Sequence, residues 1–511
     1  MKSDATVRSP EEIELKLVLP TSHPSNLAER LAQTPVLARR KATHQHLHNT
    51  YYDTPEQLLR QKRVALRIRR IGTEAKPLWL QTLKMGGSND SALSQRGEWE
   101  APVPGGAALV GSTLKNTPWS SIDPDGSVFR ALVPCFVTSF NRTSWLVRRR
   151  GGSVVEVALD IGQIVAGGKH TPICELELEL KAGQPAALFD LAQQISGTIA
   201  VLPLAISKAE RGYALAEDSS DMPLRAQPPR LTFELPLPEA AGRVLREMFC
   251  QFTSNLNTLR TSDDPEVVHQ ARVGWRRFRS AWRLFKPVFA GSVMPSWQAL
   301  QALLHFLGEL RDLDVAHTDT LPPLADAYTA GNDRRTEAWQ SMNQALIHAA
   351  RLQRKAVRYA LQEPAVGANL LAITRWLADM PALSALNATG VKQDETLRHW
   401  ARRRTGRLHE QFRLALKEAR RTAANKTTGT TDQQHRARIL AKRMRYGIEA
   451  LRSLLPRKRT QRWYEQATSL QTSIGATRDV VQASVLVAML DVDRSLVEFL
   501  RGVAVGQDIL S

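Results

Sequence analysis

The chain has 511 residues, 43% of them hydrophobic, and a formal net charge of +19 at pH 7. This length predicts at least two domains, because single cores rarely grow beyond about 250–300 residues. No apolar run approaches the roughly 20 residues of a membrane span, the first residues lack an apolar signal segment, and the three cysteines form no zinc-binding pattern. We therefore expect a cytoplasmic protein with no membrane partner.

The positive charge is concentrated in the second half of the chain. Residues 231–511 hold 41 Lys and Arg against 27 Asp and Glu, so they carry +14 of the total. Such a field favours a polyanionic partner, which could be nucleic acid, polyphosphate or an anionic membrane surface. The sign of the charge does not distinguish between them.

The first predicted element is a strand at residues 12–17. Glu12, Glu14 and Lys16 alternate with apolar residues there, so a strand places all three on one face. Two carboxylates and an ammonium on one face can hold a divalent cation beside an anion. A solvated edge strand with an internal ion pair is the alternative, and the choice depends on whether other strands repeat the pattern.

The pattern recurs along the next 170 residues. We predict helices at 26–38 and 184–196 and strands at 44–52, 64–70, 77–84, 95–101, 140–150, 154–161 and 174–180. Charged side chains share one face of most of these strands: Arg67 and Arg69; Lys84; Arg96, Glu98 and Glu100; Arg142 and Arg148; Glu156 and Asp160; Glu175, Glu177 and Glu179.

These strands are best explained by a barrel with its charged faces inward. A sheet with one solvated face is the simpler alternative, but such faces rarely stack three glutamates. About eight strands form a barrel that can hold a small ligand. Its carboxylates would hold Mg²⁺ or Mn²⁺ through oxygen ligands, and its arginines and lysines would bind phosphate oxygens.

Several short motifs occur in order in this region. They are Glu12-x-Glu14-x-Lys16, Tyr51-Tyr52-Asp53-Thr54-Pro55, Ala65-Leu66-Arg67-Ile68-Arg69, Thr82-Leu83-Lys84, Gln95-Arg96-Gly97-Glu98, Cys174-Glu175-Leu176-Glu177 and Ser207-Lys208-Ala209-Glu210-Arg211-Gly212-Tyr213. Together they make residues 8–215 resemble the CYTH family, the triphosphate tunnel metalloenzymes. The resemblance implies an eight-stranded antiparallel tunnel that acts on triphosphates with a divalent metal. Arg63 departs from the family pattern, which often has glycine before the Ala-Leu-Arg run. This difference concerns the conformation of a turn and not the expected chemistry.

The resemblance also implies residue roles. The implied metal ligands are Glu12, Glu14, Glu175, Glu177 and Asp160, the last for a second metal or the attacking water. The implied substrate-binding residues are Lys16, Arg67, Arg69, Lys84, Arg96, Arg142 and Lys208. Catalysis is assigned to Asp160, Lys16, Arg67 and Arg69. Weaker assignments to the lumen or its surroundings are Glu98, Glu100, Arg148, Glu156, Glu179 and Arg211.

The expected activity is Mg²⁺- or Mn²⁺-dependent hydrolysis of inorganic triphosphate to diphosphate and phosphate. No residue obviously forms a pocket that would recognise a nucleobase, so inorganic triphosphate is the first expected substrate. The alternatives are a thiamine triphosphatase, a nucleotide phosphohydrolase, or a non-catalytic binder of polyphosphate or nucleic acid.

The second half of the chain reads as long helices. Residues 217–235, dense in Pro, Ser and Asp, are predicted to link a domain at 8–216 to one at 236–505. Two basic stripes repeat at offsets of 0, 3, 7 and 10, and each forms one face of a helix. The first stripe is His269, Arg272, Arg276 and Arg279, with Arg283 at offset 14; the second stripe is His435, Arg438, Lys442 and Arg445.

A glycine follows each stripe histidine at a similar distance, Gly308 after 39 residues and Gly475 after 40. Like charges at this spacing repel unless an anion lies against them, although a solvated basic face is the simpler explanation for a single helix. The paired stripes resemble the CHAD domain, the conserved-histidine α-helical domain, with Lys442 where an arginine is usual. The resemblance implies polyphosphate binding in a basic groove, and nucleic acid is not the expected partner.

The predicted fold is therefore α+β: an eight-stranded antiparallel tunnel with flanking helices, then an all-α bundle with an internal pseudo-twofold repeat. Two further groups of basic residues could extend the groove: Arg351, Arg354, Lys355 and Arg358; Arg402, Arg403, Arg404 and Arg407. If the bundle only concentrates polyanion near the tunnel, removal of residues 236–511 should leave triphosphate turnover nearly intact and abolish polyphosphate binding.

Overall fold

The computed structural model describes residues 11–21, 23–72, 77–87, 91–104, 106–289, 293–386, 395–424 and 430–510. The strands lie in the first part of the chain and the long helices in the second. The α+β organisation predicted from the sequence is therefore confirmed.

Eight antiparallel strands close into a barrel. Their order around the ring is β5-β4-β3-β2-β6-β7-β8-β1, and β1 pairs again with β5. The strands are β1 (Glu11–Val18), β2 (Ala42–Asp53), β3 (Val64–Ile71), β4 (Leu78–Met85), β5 (Leu93–Pro102), β6 (Val133–Arg148), β7 (Val154–Ala166) and β8 (Lys169–Ala182). A ninth strand, β9 (Leu202–Pro203), pairs with the end of β1.

Both faces of β1 are buried, which distinguishes the barrel from a solvated sheet. Glu14 and Lys16 are 3% and 4% exposed, and Leu15 and Leu17, which point the other way, are fully buried. A strand with one solvated face would leave its charged side chains exposed. The charged face of β1 therefore faces the barrel interior, and its leucines belong to a core that includes Leu188.

Five short helices accompany the barrel. They are α1 (Leu27–Ala32), α2 (Leu58–Gln61), α3 (Ser127–Arg130), α4 (Ala186–Ser196) and α5 (Lys208–Ala216). The helix expected at 26–38 is shorter than predicted because Pro35 has no N–H and disfavours helical geometry at Thr34. The chain continues there in turns, with the amide of Ala38 donating to the Thr34 carbonyl.

The region after α5 begins with an irregular segment and continues as ten helices among the described residues. They are α6 (Leu237–Thr258), α7 (Pro265–Phe285), α8 (Gln301–Val315), α9 (Ala325–Thr329), α10 (Asp333–Ala360), α11 (Pro364–Leu386), α12 (Leu397–Ala424), α13 (Thr430–Leu451), α14 (Arg457–Ala488) and α15 (Arg494–Leu510). Helix α7 packs on α8 and α13, and α14 packs on α8 and α13. Across the described ranges, none of the helices has both the length and the apolar character needed to cross a bilayer.

The two halves pack directly on each other through α11, which contacts α4 and β9. Gly367 is needed there, because a Cβ atom at this position would lie 2.0 Å from the Val201 carbonyl oxygen. At the edge of the interface, Arg375 donates to Asp190 Oδ1 at 2.6 Å. The end of β1 therefore belongs to a shared core, in which Val18 is 4% exposed and lies in the hydrophobic cluster of the helical half.

Candidate functional site

The barrel interior is a cavity of about 560 Å³ whose charged lining is balanced. Eight carboxylates and eight cationic groups line it: Glu11, Glu12, Glu14, Glu98, Glu100, Glu156, Glu177 and Glu179; Lys16, Arg67, Arg69, Lys84, Arg96, Arg142, Lys181 and Lys208. Most of the predicted site residues are thus brought together in one lumen, although they come from seven strands and α5.

The carboxylates of β1 form the first charged cluster. Arg96 donates to Glu12 at 2.8 Å and to Glu14 at 2.5 Å, and Lys84 lies 2.8 Å from both oxygens of Glu12. Burial raises the pKa of Glu12, but the charges of Lys84 and Arg96 outweigh it and leave the pKa well below its ordinary value. Glu12 is therefore held as a carboxylate at neutral pH.

The second charged cluster surrounds Lys208, at the start of α5. Its ammonium lies 2.8 Å from Asp160, 2.9 Å from Glu175 and 2.7 Å from Glu177. Arg142 also donates to Asp160 with two nitrogens, each at 2.7 Å. The Lys208 pKa is raised, since these carboxylates outweigh the effect of burial. Three carboxylates thus converge on one cation.

The sequence of α5 fixes this position of Lys208. Ser207 caps the helix, with its hydroxyl accepting from the Glu210 amide while Glu210 accepts from the Ser207 amide. This reciprocal cap sets the direction of the first helical turn. Lys208, the first helical residue, consequently points into the lumen, where its ammonium also lies 5.2 Å from the centre of the Phe140 ring.

The arginines of β3 are less fully neutralised by carboxylates. Arg69 donates to Asn49 at 2.8 Å and lies 4.0 Å from Glu100, and Arg67 donates to the Tyr51 hydroxyl at 3.3 Å. Burial, Arg67 and Arg142 lower the pKa of Arg69 to about 10. Arg69 therefore remains cationic at neutral pH but is repelled by its neighbours, as expected of a group arranged to receive an anion.

Two predicted ligands lie beneath the lumen surface. Asp160 and Glu175 are fully buried and do not line the cavity, because Arg142, Lys208 and Arg211 cover them. Arg148, proposed as a lumen residue, is exposed near the tip of the β6–β7 hairpin, where it pairs with Val154. Arg63 adopts a left-handed conformation with φ of 56°, which explains why a glycine would suit this turn.

The carboxylates suit a hard divalent cation, which prefers oxygen ligands. Three of them already converge on the Lys208 ammonium, and Glu175 Oε2 is buried without a well-aligned hydrogen bond although Lys208 is nearby. Within the described ranges, however, no group of three or more His, Cys, Asp or Glu side chains is arranged to hold a metal ion. The donor set fits the metal, provided that the present ion pairs are exchanged.

Some lumen residues were not singled out from the sequence. Tyr51 and Asn49 of β2 are the direct cross-strand partners of Arg67 and Arg69 on the same face of the sheet, and Lys181 pairs with Glu179 and Glu156 at 2.6 and 3.2 Å. The alternation of Leu47, Asn49 and Tyr51 in β2 was the available signal. This signal does not distinguish a lumen face from an ordinary strand face, because these side chains carry no formal charge at neutral pH.

The two basic stripes lie on helices that pack on each other, although His435 lines a separate cavity between α12 and α13. The first stripe lies on α7 and the second on α13. Burial and the charges of Arg438 and Arg276 lower the pKa of Lys442 to about 8. Since Arg276 belongs to α7, cations of the two stripes lie close enough to repel each other. Gly308 contributes space, because a Cβ atom there would lie 2.8 Å from Arg272 Nη1; the side chains of residues 473–477, including position 475, lie outside those described.

The stripe arginines are poorly compensated. Among the described residues, the Nε atoms of Arg276, Arg279 and Arg438 are buried without a hydrogen-bond partner. Of the six arginines and lysines in the two stripes, only Arg445 forms an ion pair in the described ranges, with Glu449 at 3.5 Å. Burial and Arg311 lower the pKa of His269 to about 4, so this histidine is neutral at pH 7.

Several neighbouring basic residues have structural partners instead. Arg354 pairs with Asp314 at 3.4 Å, Arg358 donates to Asp263 at 2.8 Å, and Arg403 donates to Glu395 at 2.5 Å. These basic residues, which were predicted to extend the groove, are therefore already neutralised by carboxylates of the protein.

Comparison with known proteins assigns a domain family to each half of the chain. The CYTH domain family model matches residues 10–213, and the CHAD domain family model matches residues 243–488. An inorganic triphosphatase from Haemophilus influenzae is 37% identical over 208 residues, which are 40% of this chain and 55% of the relative. The chain thus spans about half the length of this curated relative.

Two solved structures resemble separate parts of the chain. The CHAD domain from the plant Ricinus communis has 29% identity and a TM-score of 0.46, covering 56% of this chain and 92% of that one. A putative adenylyl cyclase from Hippeastrum, described as having a dominant triphosphatase activity, has 19% identity and a TM-score of 0.28, covering 40% of this chain and 95% of that one. Both TM-scores are below 0.5, so the assignment depends on the family models.

The structure thus combines a closed antiparallel barrel that has a charged interior with a helical region that carries two basic stripes. The chain carries a CYTH domain followed by a CHAD domain.

Proposed function

We propose that the CYTH domain hydrolyses inorganic triphosphate to diphosphate and phosphate with a divalent metal, Mg²⁺ or Mn²⁺, and that the CHAD domain binds inorganic polyphosphate. The observation that supports the first activity most directly is the balanced lumen lining of eight carboxylates and eight cations. The similarity to an inorganic triphosphatase supports the same substrate.

The charge balance explains how a triphosphate can be accommodated. A highly anionic substrate binds where cations can neutralise it, and cations without close carboxylate partners can do so at the lowest cost. Arg69 and Arg67 meet this condition, with Glu100 at 4.0 Å and Glu98 at 3.7 Å. Both would bind phosphate oxygens through their planar forks, while Lys16, Lys84, Arg96, Arg142 and Lys208 surround the remainder of the anion.

The carboxylates would hold the cation on the opposite side. Glu12, Glu14 and Glu177 line the lumen, and Asp160 and Glu175 support it from beneath. A bound divalent metal supplies charge neutralisation and activates water at neutral pH. As the substrate binds, Lys208 and Arg96 can exchange carboxylate partners for phosphate oxygens, which leaves carboxylate oxygens available. Asp160 is the residue proposed to orient the attacking water.

The first experiment is a phosphate-release assay on the full chain. Inorganic triphosphate, long polyphosphate, ATP and thiamine triphosphate are compared at equal concentration with Mg²⁺ and with Mn²⁺. We expect inorganic triphosphate to be hydrolysed fastest and excess EDTA to abolish the activity. A faster rate with thiamine triphosphate or ATP would replace the proposed substrate, and phosphate release that survives EDTA would refute the metal-dependent reaction.

A pair of variants makes the lumen assignment specific. Arg69→Gln should lower kcat/KM by about 10- to 100-fold, because it removes charge-assisted hydrogen bonds worth about 1.5–3 kcal/mol. Arg148→Gln removes the same charge from β6 outside the lumen and should leave turnover unchanged. Equal losses in both variants would show that overall charge, not the lumen site, controls the rate.

Polyphosphate binding in the CHAD domain is supported by the like charges of the two stripes, where burial, Arg438 and Arg276 lower the pKa of Lys442. Like charges this close repel each other, and a phosphate chain between α7 and α13 would neutralise several of them at once. Arg272→Gln/Arg276→Gln should abolish polyphosphate binding and leave triphosphate turnover unchanged. The matched control is Arg413→Gln/Arg494→Gln, which removes two exposed arginines that pair with Glu410 and Glu498.

A competing function is nucleic-acid binding by a non-specific basic surface. Such binding follows charge density and falls steeply with ionic strength. RNA and polyphosphate titrations at matched salt distinguish the two. RNA binding as tight as polyphosphate binding would overturn the proposed ligand of the CHAD domain.

A further inference from the structure

A second basic cavity lies between α7, α12 and α13. Its volume is about 250 Å³, and four arginines, Ser280, Gln411 and two leucines line it. We call it the arginine pocket, after its residues Arg283, Arg404, Arg407 and Arg443. Among the described residues, no carboxylate lines this pocket, in contrast to the tunnel, where carboxylates and cations are equal in number.

Two of the pocket arginines lie on α12, where several other arginines are paired with glutamates. Along α12, Arg403, Arg413 and Arg421 each donate to a glutamate at 2.5, 2.7 and 2.8 Å. Arg404 and Arg407, which turn toward the pocket, form no ion pair in the described part of the chain. Arg402 and Arg420, exposed elsewhere on α12, also lack an ion pair among the described residues, but Arg404 is half-buried, and burial and the charge of Arg407 lower its pKa. An anion in the pocket would relieve this repulsion.

Three features of the pocket favour an anion. Arg404 donates to the carbonyls of Leu284 and Arg283 at 3.2 and 3.4 Å, which fixes its guanidinium and offsets the negative end of α7. Arg443 Nε is buried without a hydrogen-bond partner. Burial lowers the pKa of Arg283, and Arg279 and Arg443 lower it further, so these cations already repel one another.

The size of the cavity limits its ligand. Pockets for drug-sized molecules measure about 300–1,000 Å³, so a cavity of about 250 Å³ is small for such a ligand and suits a small inorganic anion. Arginine forks bind phosphate oxygens in pairs, and the Ser280 hydroxyl and Gln411 amide are additional donors. We propose that the arginine pocket is a binding site for a single phosphoryl group, separate from the tunnel and at the end of the first stripe.

The phosphoryl group can be free orthophosphate or the terminal phosphate of a polyphosphate chain lying along the groove. Arg283 follows Arg279 by one helical turn, so a chain on the first stripe would reach the pocket with its end. Orthophosphate alone tests the site and does not depend on the polyphosphate proposal. Long polyphosphate with free ends, compared with the same polymer carrying esterified ends, tests the second source.

The decisive variant is Arg283→Gln/Arg407→Gln in the full chain, since both side chains are exposed and their replacement leaves the α7 cap by Arg404 intact. The control is Arg413→Gln/Arg421→Gln, which removes the same charge from α12 outside the pocket. In calorimetric titration, the pocket variant should bind orthophosphate at this site about 10- to 100-fold more weakly than the unsubstituted chain. The control variant should show no such change.

Each result bears on the proposal. Loss of the preference for free over esterified polyphosphate ends in the pocket variant would identify the chain end as the ligand. Equal weakening in the pocket and control variants, or unchanged binding of both probes in the pocket variant, would overturn the site. Arg272→Gln/Arg276→Gln, which tests the groove, should leave the orthophosphate component unchanged, so failure of the groove and failure of the pocket are distinguishable.

Discussion

Polyphosphate binding to the CHAD domain should be coupled to proton uptake by Lys442. Arg438 and Arg445 flank this lysine on α13, Arg276 faces it from α7, and Arg478 faces it from α14. Burial and these charges lower the Lys442 pKa from 10.5 to about 8 in the free protein. A polyanion placed between the stripes would screen the arginines and restore the pKa to at least its ordinary value.

The magnitude follows from these two pKa values. In the free protein about nine in ten Lys442 side chains carry a proton at pH 7 and about one in ten at pH 9. Binding should therefore take up about 0.1 proton at pH 7 and about 0.9 at pH 9. The apparent affinity should fall about tenfold between these pH values, equal to about 1.4 kcal/mol.

Calorimetry in two buffers of different protonation enthalpy measures the uptake directly, and long polyphosphate keeps the contribution of its own terminal groups small. Lys442→Arg is the control, because a guanidinium stays charged across this range. His269, with a pKa of about 4, is neutral throughout and adds nothing. Absence of proton uptake at pH 9, or the same pH dependence in Lys442→Arg, would refute the role of Lys442.

Two substitutions test the packing that holds the sites. Lys208→Met leaves three carboxylates without their common cation, and breaking such a buried pair costs about 3–5 kcal/mol. The melting temperature should therefore fall by about 6–20 °C. The control Lys169→Met, which breaks an exposed pair with Asp218, should change the melting temperature little. Gly367→Ala should destabilise the chain because its Cβ would collide with Val201, whereas Gly406→Ala, with open space around it, should stabilise α12 by about 0.5–1 kcal/mol. Unchanged melting of Lys208→Met or Gly367→Ala would contradict these contacts.

The barrel was predictable because period-two alternation is a local signal. The charged face of each strand identified the lumen before any contact was known, and Glu14 and Lys16 are buried as expected. Alternation does not reveal where a strand leaves the barrel. Arg148 has the same parity as Arg142, but it lies six residues later, next to the hairpin turn, and is exposed.

The pairing of the charges could not be predicted from the same pattern. Lys208 is 48 residues from Asp160 in sequence, and only folding of α5 across the tunnel brings its ammonium to 2.8 Å from that carboxylate. The burial of Asp160 and Glu175 beneath the lumen surface follows from this pairing. Likewise, helical periodicity placed Arg404 on a basic face but could not separate it from Arg403, because the position of Glu395 before α12 decides which arginine is paired.

The packing between the domains determines how their coupling can be studied. Deletion of residues 236–511 would expose Val18, Leu202 and Leu204, which are 4%, 1% and 5% exposed in the full chain, and each buried apolar side chain of this kind contributes about 1.5–3 kcal/mol. The Leu204 amide also donates to the Lys16 carbonyl at 2.9 Å, so the damage would reach the charged strand itself. Loss of turnover after deletion would therefore not demonstrate a catalytic contribution from the CHAD domain. The stripe variants leave this interface intact, and a change in their turnover at unchanged melting temperature would be the evidence for coupling.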